Sequence, residues 1–356
     1  MKKPVKVILC ILLALLLIAG GYVAYVFIDY HRLDDNLALT VSPGAAGTLA
    51  AGGGELKLVS WNIGFGAYTA DYDFFMDGGT QSWAESPERL DANLKDIAAL
   101  VTREAADLYL IQEVDVDGTR SYHVDESVYL TDALTGYDSV FAQNYDSPFL
   151  AYPFTQPHGA NKAGIMTFSR FPIEAALRRS LPIEDSVMKL VDLDRCYSIS
   201  HIPLADGGEL TLFNLHLSAY TSDGTIANEQ LQMLLADMQR AYDKGHYCIA
   251  GGDFNKDVLG DSPAWFGTPD TDYSWAQPIP DAVFAGSDMT LVAPLDENAP
   301  VPSCRNPDSA YHEGQYVVTV DGFLVSPNVT VTAANVIDTG FAYSDHNPVM
   351  MTFTLD

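Results

Sequence analysis

Residues 250–255 read AGGDFN, and how this stretch is understood decides the fold. Tyr247, Cys248 and Ile249 lead into it as an apolar, strand-like run; two glycines follow, and Asp253 and Asn255 stand two residues apart. One reading is a plain turn, because Asp and Asn accept turn geometry. The other is an oxygen-rich site at the end of a buried strand, able to bind a hard cation or position a water. In that second reading the glycines let the backbone turn sharply at the strand end and bring both side chains to one side.

Working outward, HYCIAGGDFN closes a strand–helix–strand unit. Residues 209–218 (ELTLFNLHLS) alternate as a strand, and 225–242 place Leu231, Leu234, Leu235 and Met238 on one helical face. A second unit lies upstream: a strand at 56–63 (LKLVSWNI), a helix at 88–105 with Leu90, Leu94, Ile97 and Val101 in phase, and a strand at 107–114 (DLYLIQEV). Further strands are expected at 163–169, 315–326 and 348–355, and long loops at 256–282 and 293–313. Trp265, Phe266, Tyr273 and Trp275 sit in the first of these loops, where they either touch a substrate or pack on the body.

The 356 residues carry 19 Lys and Arg against 47 Asp and Glu, a net charge of -28. Binding along a nucleic-acid backbone needs a basic face, and no basic cluster is visible beyond the first six residues. Cys10 lies in an apolar N-terminal run, while Cys196, Cys248 and Cys304 are far apart with no CxxC pair, which argues against a zinc–thiolate site. They allow one bridge at most, and spacing does not say whether it forms.

The chain divides into a basic segment at 1–6, an uncharged run at 7–28, a small-residue stretch at 29–54 and a body at 55–356. As a helix, Val7 to Ile28 would span about 33 Å, against about 30 Å of membrane hydrocarbon. Lys2, Lys3 and Lys6 precede it and Asp29, Asp34 and Asp35 follow, so as a retained transmembrane anchor it would leave the body outside the cytoplasm. The alternative is a signal peptide cleaved near Ala19-Gly20-Gly21. SPGAAGTLAAGGGE within 29–54 reads as a flexible linker.

Several polar residues stand at or just past apolar strands: Asn62, Glu113, His216, Asp253 with Asn255, Asp321, and Asp345 with His346. Singly, each has an ordinary account as a turn residue, a solvated acid or a buried histidine. Together they suit the crevice that an α/β fold opens at its strand ends. The ordered set SWNI (60–63), IQEV (111–114), NLHLS (214–218), GGDFN (251–255), VDGFLVS (320–326) and SDHNPV (344–349) resembles the endonuclease/exonuclease/phosphatase superfamily of DNase I-like proteins. AGIMTFSRFPI (163–173) and Ser303-Cys304-Arg305 are similar to two further elements of that family.

The resemblance implies a four-layer α/β sandwich, with two packed mixed sheets flanked by helices. It also implies metal-dependent phosphoester hydrolysis with Mg2+, or Mn2+ or Ca2+, as cofactor. Asn62, Glu113 and Asp345 match the residues that hold the ion. Asp253 matches the one that orients or deprotonates the attacking water, and Asn255 the amide on a phosphate oxygen. His346 matches the histidine at the scissile phosphate, Asp321 its hydrogen-bonded acid, and His216 the histidine at the phosphate or leaving group. Arg305 is a candidate substrate contact, as is Lys162 in the glycine-bordered loop HGANKAG (158–164). The expected substrate is a lipid or small phosphodiester at the cell surface. An extracytoplasmic nuclease, and a non-enzymatic binding module on the same fold, are the alternatives.

Overall fold

The computed structural model describes residues 3–184, 189, 194–219, 225–268 and 276–356. Two seven-stranded mixed sheets pack face to face. In spatial order the first is β15 (Val329–Val336), β16 (Val349–Leu355), β3 (Leu56–Asn62), β4 (Leu108–Gly118), β6 (Asn161–Ser169), β5 (Asp138–Asp146) and β2 (Val41–Ser42). The second is β1 (Leu37–Leu39), β7 (Ala175–Ser180), β8 (Cys196–Pro203), β9 (Glu209–His216), β10 (Tyr247–Asp253), β14 (Asp321–Val325) and β11 (Thr290–Val292). A short ribbon of β12 (Cys304–Arg305) and β13 (Val317–Val318) stands apart.

Strand alternation sorts the side chains into layers. Leu58, Leu108 and Leu110 face the second sheet, where Leu210, Leu212, Ile249 and Phe323 meet them. Val59, Trp61, Tyr109 and Ile111 face outward against α2 (Pro87–Glu104) and α3 (Glu126–Ala133). Phe213, Leu215, Cys248 and Ala250 pack outward against α4 (Thr225–Tyr242). The expected four layers are therefore present. α2 begins where the Ser86 side chain accepts a hydrogen bond from the Arg89 N–H, with Pro87 in the first turn, and it ends at Ala105 in a left-handed conformation. The units β3–α2–β4 and β9–α4–β10 each join parallel strands, so four strand ends open on one edge of the sandwich.

Residues 29–54 are not the flexible linker that their small side chains suggest. β1 pairs with β7 at one edge of the second sheet, and β2 with β5 at one edge of the first. Gly44 and Ala45 donate their N–H groups to Asp138 Oδ1, both at 2.8 Å, and Leu49 is buried in the inter-sheet core. Leu49 in the core, with Leu39 and Val41 packed against it, straps both sheets together, which an average over a Gly/Ala-rich window conceals. The stretch expected as one strand at 315–326 is likewise two, β13 and β14, which belong to different sheets.

α1 (Lys3–Asp29) is long and apolar enough to cross a membrane, a property that signal sequences share. The four cysteines are free thiols. α5 (Ser262–Phe266) carries the half-exposed Trp265, whereas Tyr273 and Trp275 lie outside the described residues.

Candidate active site

The inward-facing rows that build the core change character at their ends. Leu58, Ser60 and Asn62 share one face of β3; Leu212, Asn214 and His216 share one face of β9; Ile249, Gly251 and Asp253 share one face of β10. Phe323 and Asp321 do the same on β14. Register brings the last residues level, because Asp253 is the pairing partner of both His216 and Asp321. Beneath them Gln112 Nε2 donates to Asn214 Oδ1 across the sheets at 2.8 Å and to Ser60 Oγ at 3.2 Å.

The two glycines of AGGDFN lie inside β10 rather than in a turn. A Cβ at Gly251 would stand 2.8 Å from Phe323 and 2.9 Å from Leu110, so this residue lets the two sheets approach. Gly252 has φ +147°, and a Cβ there would lie 2.0 Å from the Leu215 carbonyl oxygen. The turn comes later, at Asn255 with φ 49°. Asp253 Oδ1 accepts the Asn255 N–H at 2.8 Å, and Asn255 Nδ2 donates to the Leu217 carbonyl at 2.8 Å.

Glu113 is not at a strand end either. β4 continues to Gly118, and its register against β6 slips between Ile111 and Val114. Glu113 occupies this bulge with φ 55°, a device that re-aims one side chain out of the sheet alternation. Asn62 Nδ2 bridges Glu113 Oε1 at 3.0 Å and Asp253 Oδ2 at 3.1 Å, while its oxygen accepts the Gly64 N–H.

Asp345 and His346 sit on a loop held from several sides. Trp61 Nε1 donates to the His346 carbonyl at 2.8 Å, Arg305 N to the Asp345 carbonyl at 3.0 Å, and Ser344 Oγ to the Asn62 carbonyl at 2.8 Å. His346 Nδ1 is 2.8 Å from Asp321 Oδ2, and its Nε2 points toward Asp253 Oδ2 at 3.8 Å and Cys304 Sγ at 3.5 Å. Burial works to lower the His346 imidazolium, but the adjacent Asp321 carboxylate more than offsets it and holds the group well above 6.5. His216, 3.5 Å from Asp253 and 4.0 Å from Glu113, is driven the other way by burial and by the positive charges of Arg195 and His346. One histidine is therefore kept charged and the other neutral.

Burial pushes Asp253 up to about 7, with His346 opposing and Asp321 adding to the rise. Asp345 is pushed up to about 6 by burial, with His346 opposing and the Glu113 charge adding. Glu113 and Asp345 repel one another in a cleft where Asn62 already holds Glu113, and such paired acids suit a divalent cation. Asp253, Asp321 and His346 also bring one potential ligand atom each within 4.8 Å. Their own 2.8 Å hydrogen bond already uses Asp321 and His346.

These residues line one cleft of about 130 Å³, walled by Tyr68, Phe74, His158, Arg195 and Arg305 among others. The cleft gathers Glu113, His216, Asp253, Asn255, Asp345 and His346, with Asn62 and Asp321 bonded directly behind them. Lys162 is not among its lining residues; it is exposed and stands 3.6 Å from Asp146. His158 and Ala163, from the same segment, reach the cleft. Arg305 is in the wall, but its terminal nitrogens donate to the carbonyls of Thr69, Tyr72 and Ser309. These bonds brace that wall.

No described residue of 256–282 lines the cleft. Arg195 was missed in the sequence, and Ser303 was noted there only as part of Ser303-Cys304-Arg305, with no role of its own. Ser303 Oγ accepts the N–H groups of Val320 and Asp321 and donates to Asp321 Oδ2 at 2.7 Å, which fixes the carboxylate that holds His346. Arg195 gave no local signal, since tertiary folding alone brings it to the cleft.

The sequence matches the model of the Endonuclease/Exonuclease/phosphatase family over residues 59–346. The chain belongs to this family, whose members are phosphoester hydrolases. No curated protein matches it. Among solved structures, an endonuclease/exonuclease/phosphatase from Beutenbergia cavernae DSM 12333 is 21% identical, with 85% of this chain and 72% of that one covered and a TM-score of 0.54. ANGEL2, described as a 2',3'-cyclic phosphatase, is 15% identical, with 90% and 99% covered and a TM-score of 0.56. A mannosyl-6-phosphatase from Bacteroides thetaiotaomicron VPI-5482 is 19% identical, with 84% and 99% covered and a TM-score of 0.51. At these identities the likeness speaks for the shared fold alone.

Proposed function

We propose that this family member is a divalent-metal-dependent phosphodiesterase, anchored in the membrane by α1 with its body outside the cytoplasm, acting on a lipid or small phosphodiester. The observation that carries the reading is the Asp321–His346 pair at 2.8 Å facing Asp253 across the same cleft as Glu113 and Asp345. In it, Glu113 and Asp345 would hold the ion, Mg2+ for preference because both are oxygen donors. When bound, the ion polarises the phosphoryl group and neutralises its charge.

The chain's own residues do the rest. Asp253, with its carboxyl near 7, accepts a proton from the attacking water. Asp321 keeps His346 protonated, so its Nε2–H meets the charge that develops on the phosphoryl oxygens. Neutral His216 stands by for the leaving oxygen, and Asn255 orients a phosphate oxygen. Asn62 ties the ion-holding carboxylate to the water-activating one. The size of the cleft and the net charge of -28 favour a small headgroup over a polyanionic track.

The test is turnover of bis-p-nitrophenyl phosphate, sphingomyelin, lysophospholipids, plasmid DNA and RNA by the full-length protein, with EDTA or Mg2+ and with Asp253→Ala as control. Metal-dependent turnover of lipid or the small diester, lost in Asp253→Ala, is expected. Nicking of DNA without lipid or small-diester turnover would replace the substrate. Turnover that survives EDTA would remove the metal from the scheme.

A further inference from the structure

From Ser147 to Asn161 the chain has no Asp, Glu, Lys or Arg, in a protein with 47 acidic residues. Three aromatics of this loop are turned to solvent: Phe149 is 44% exposed, Tyr152 63% and Phe154 85%. Leaving such rings open to water forfeits the stabilisation that burying them would give. The loop is also bonded to the helix that can cross a membrane. Tyr22 Oη donates to the Phe149 carbonyl at 3.0 Å and accepts the Ala151 N–H at 2.9 Å; Tyr25 Oη accepts the Phe149 N–H at 2.9 Å.

These bonds set the depth of the loop. Tyr22 precedes Asp29 by seven residues, about 10 Å along a helix axis. The uncharged part of α1 would span about 33 Å against about 30 Å of hydrocarbon. Tyr25 therefore falls about 3 Å, and Tyr22 about 8 Å, inside the outer boundary of the apolar layer, below the level at which aromatic side chains collect. The loop they hold lies at the same depth as these two tyrosines. It is continuous with the cleft: the Phe75 ring is 4.8 Å from Phe74, 5.6 Å from His158 and 5.9 Å from Tyr152. Phe74 and His158 are cleft walls.

We infer that Phe149, Tyr152 and Phe154 dip into the outer edge of the bilayer that α1 crosses, and that the cleft beside them takes the phosphoester of a lipid headgroup. This rests on the anchored phosphodiesterase reading above and narrows its substrate to one presented at the membrane surface. An uncharged loop makes the approach, so the acidic body stays clear of the headgroups.

The experiment uses the full-length chain in phosphatidylcholine vesicles, with a nitroxide on Phe154→Cys in a Cys10→Ala background. The expected result is ready collision with dissolved oxygen and shielding from an aqueous nickel chelate. The same label at Asp206→Cys, an exposed turn, stays open to the chelate. Equal chelate access at both positions would overturn the surface.

A second arm follows headgroup release from vesicles containing phosphatidylcholine, phosphatidylglycerol and sphingomyelin, alongside bis-p-nitrophenyl phosphate. The double variant Tyr152→Asp/Phe154→Asp should lower headgroup release several-fold and leave the soluble substrate untouched. Soluble turnover without headgroup release by the wild type would overturn the lipid substrate. Absence of both would strike the phosphodiesterase reading itself, and the nitroxide depth would still decide the surface.

Discussion

The inter-sheet layer has two ends built on the same strands. At one end Leu58, Leu108, Leu212, Ile249 and Phe323 meet in a dry core. At the other, a few residues along the same rows, Asn62, His216, Asp253 and Asp321 meet in equal burial. The apolar end is stabilising throughout. The polar end is not: Asp321 Oδ1 and His216 Nδ1 are buried with no hydrogen-bond partner, and burial raises Asp253 and Asp345. Such groups cost stability, and perturbed acids gathered in a cleft mark a functional site. The scaffold and the site are one layer, divided only by which residues occupy the inward positions.

The sharpest way to break this division is to exchange effects between its ends. Glu113→Ala should lower turnover by about 10²–10³-fold or more, as loss of a charge-stabilising centre does, while the unfolding midpoint holds. Ile249→Ala should do the reverse, costing about 2–5 kcal/mol of stability with turnover of the folded protein intact. Denaturant unfolding and steady-state kinetics on both variants check the pair. If Glu113→Ala kept its activity, the site assignment would be wrong.

A smaller effect sharpens the comparison inside the polar end. Asp321→Asn keeps the shape but withdraws the charge that holds His346 protonated. Turnover should fall about 10–100-fold, the usual scale for a residue behind a working group. The activity lost as pH rises should also go at a lower pH than in the wild type, because His346 gives up its proton sooner. An unchanged profile would sink the proposed pairing.

The smallest effect concerns the cleft wall. Burial lowers His158 to about 3, against 6.5 for the free imidazole, so the unfolded chain takes up the proton first. The contribution of this residue is complete above about pH 6.5 and is lost as pH falls toward 3, by up to about 1.4 kcal/mol per unit. His158→Gln should flatten the decline in urea midpoint between pH 7 and 5 relative to wild type. Parallel curves would show that His158 is not kept neutral.

Alternation and helical phase made the two strand–helix–strand units legible, because burying one face of a strand or helix leaves a periodic record. For α4 the expected and observed bounds agree at 225–242. Residues 29–54 were misread because pairing at a sheet edge needs only backbone groups and a few apolar contacts, which leave little trace in composition. The bulge at Glu113 was invisible for a related reason: an extra residue in a strand is defined by the partner strand, β6.

The sequence alone gave the residue types of the candidate site and their order along the chain, because each sits beside a local pattern of apolar residues. It also determined the apolar length of α1. Only the tertiary structure decided which of these residues meet. Register aligned His216, Asp253 and Asp321, which are far apart in the chain. It set Arg305 bracing a wall and left Lys162 outside the cleft. It brought Arg195 and an aromatic loop to places that no neighbouring residue announces. Contacts between distant segments depend on how strands pair and layers pack, and that information belongs to no single stretch of chain.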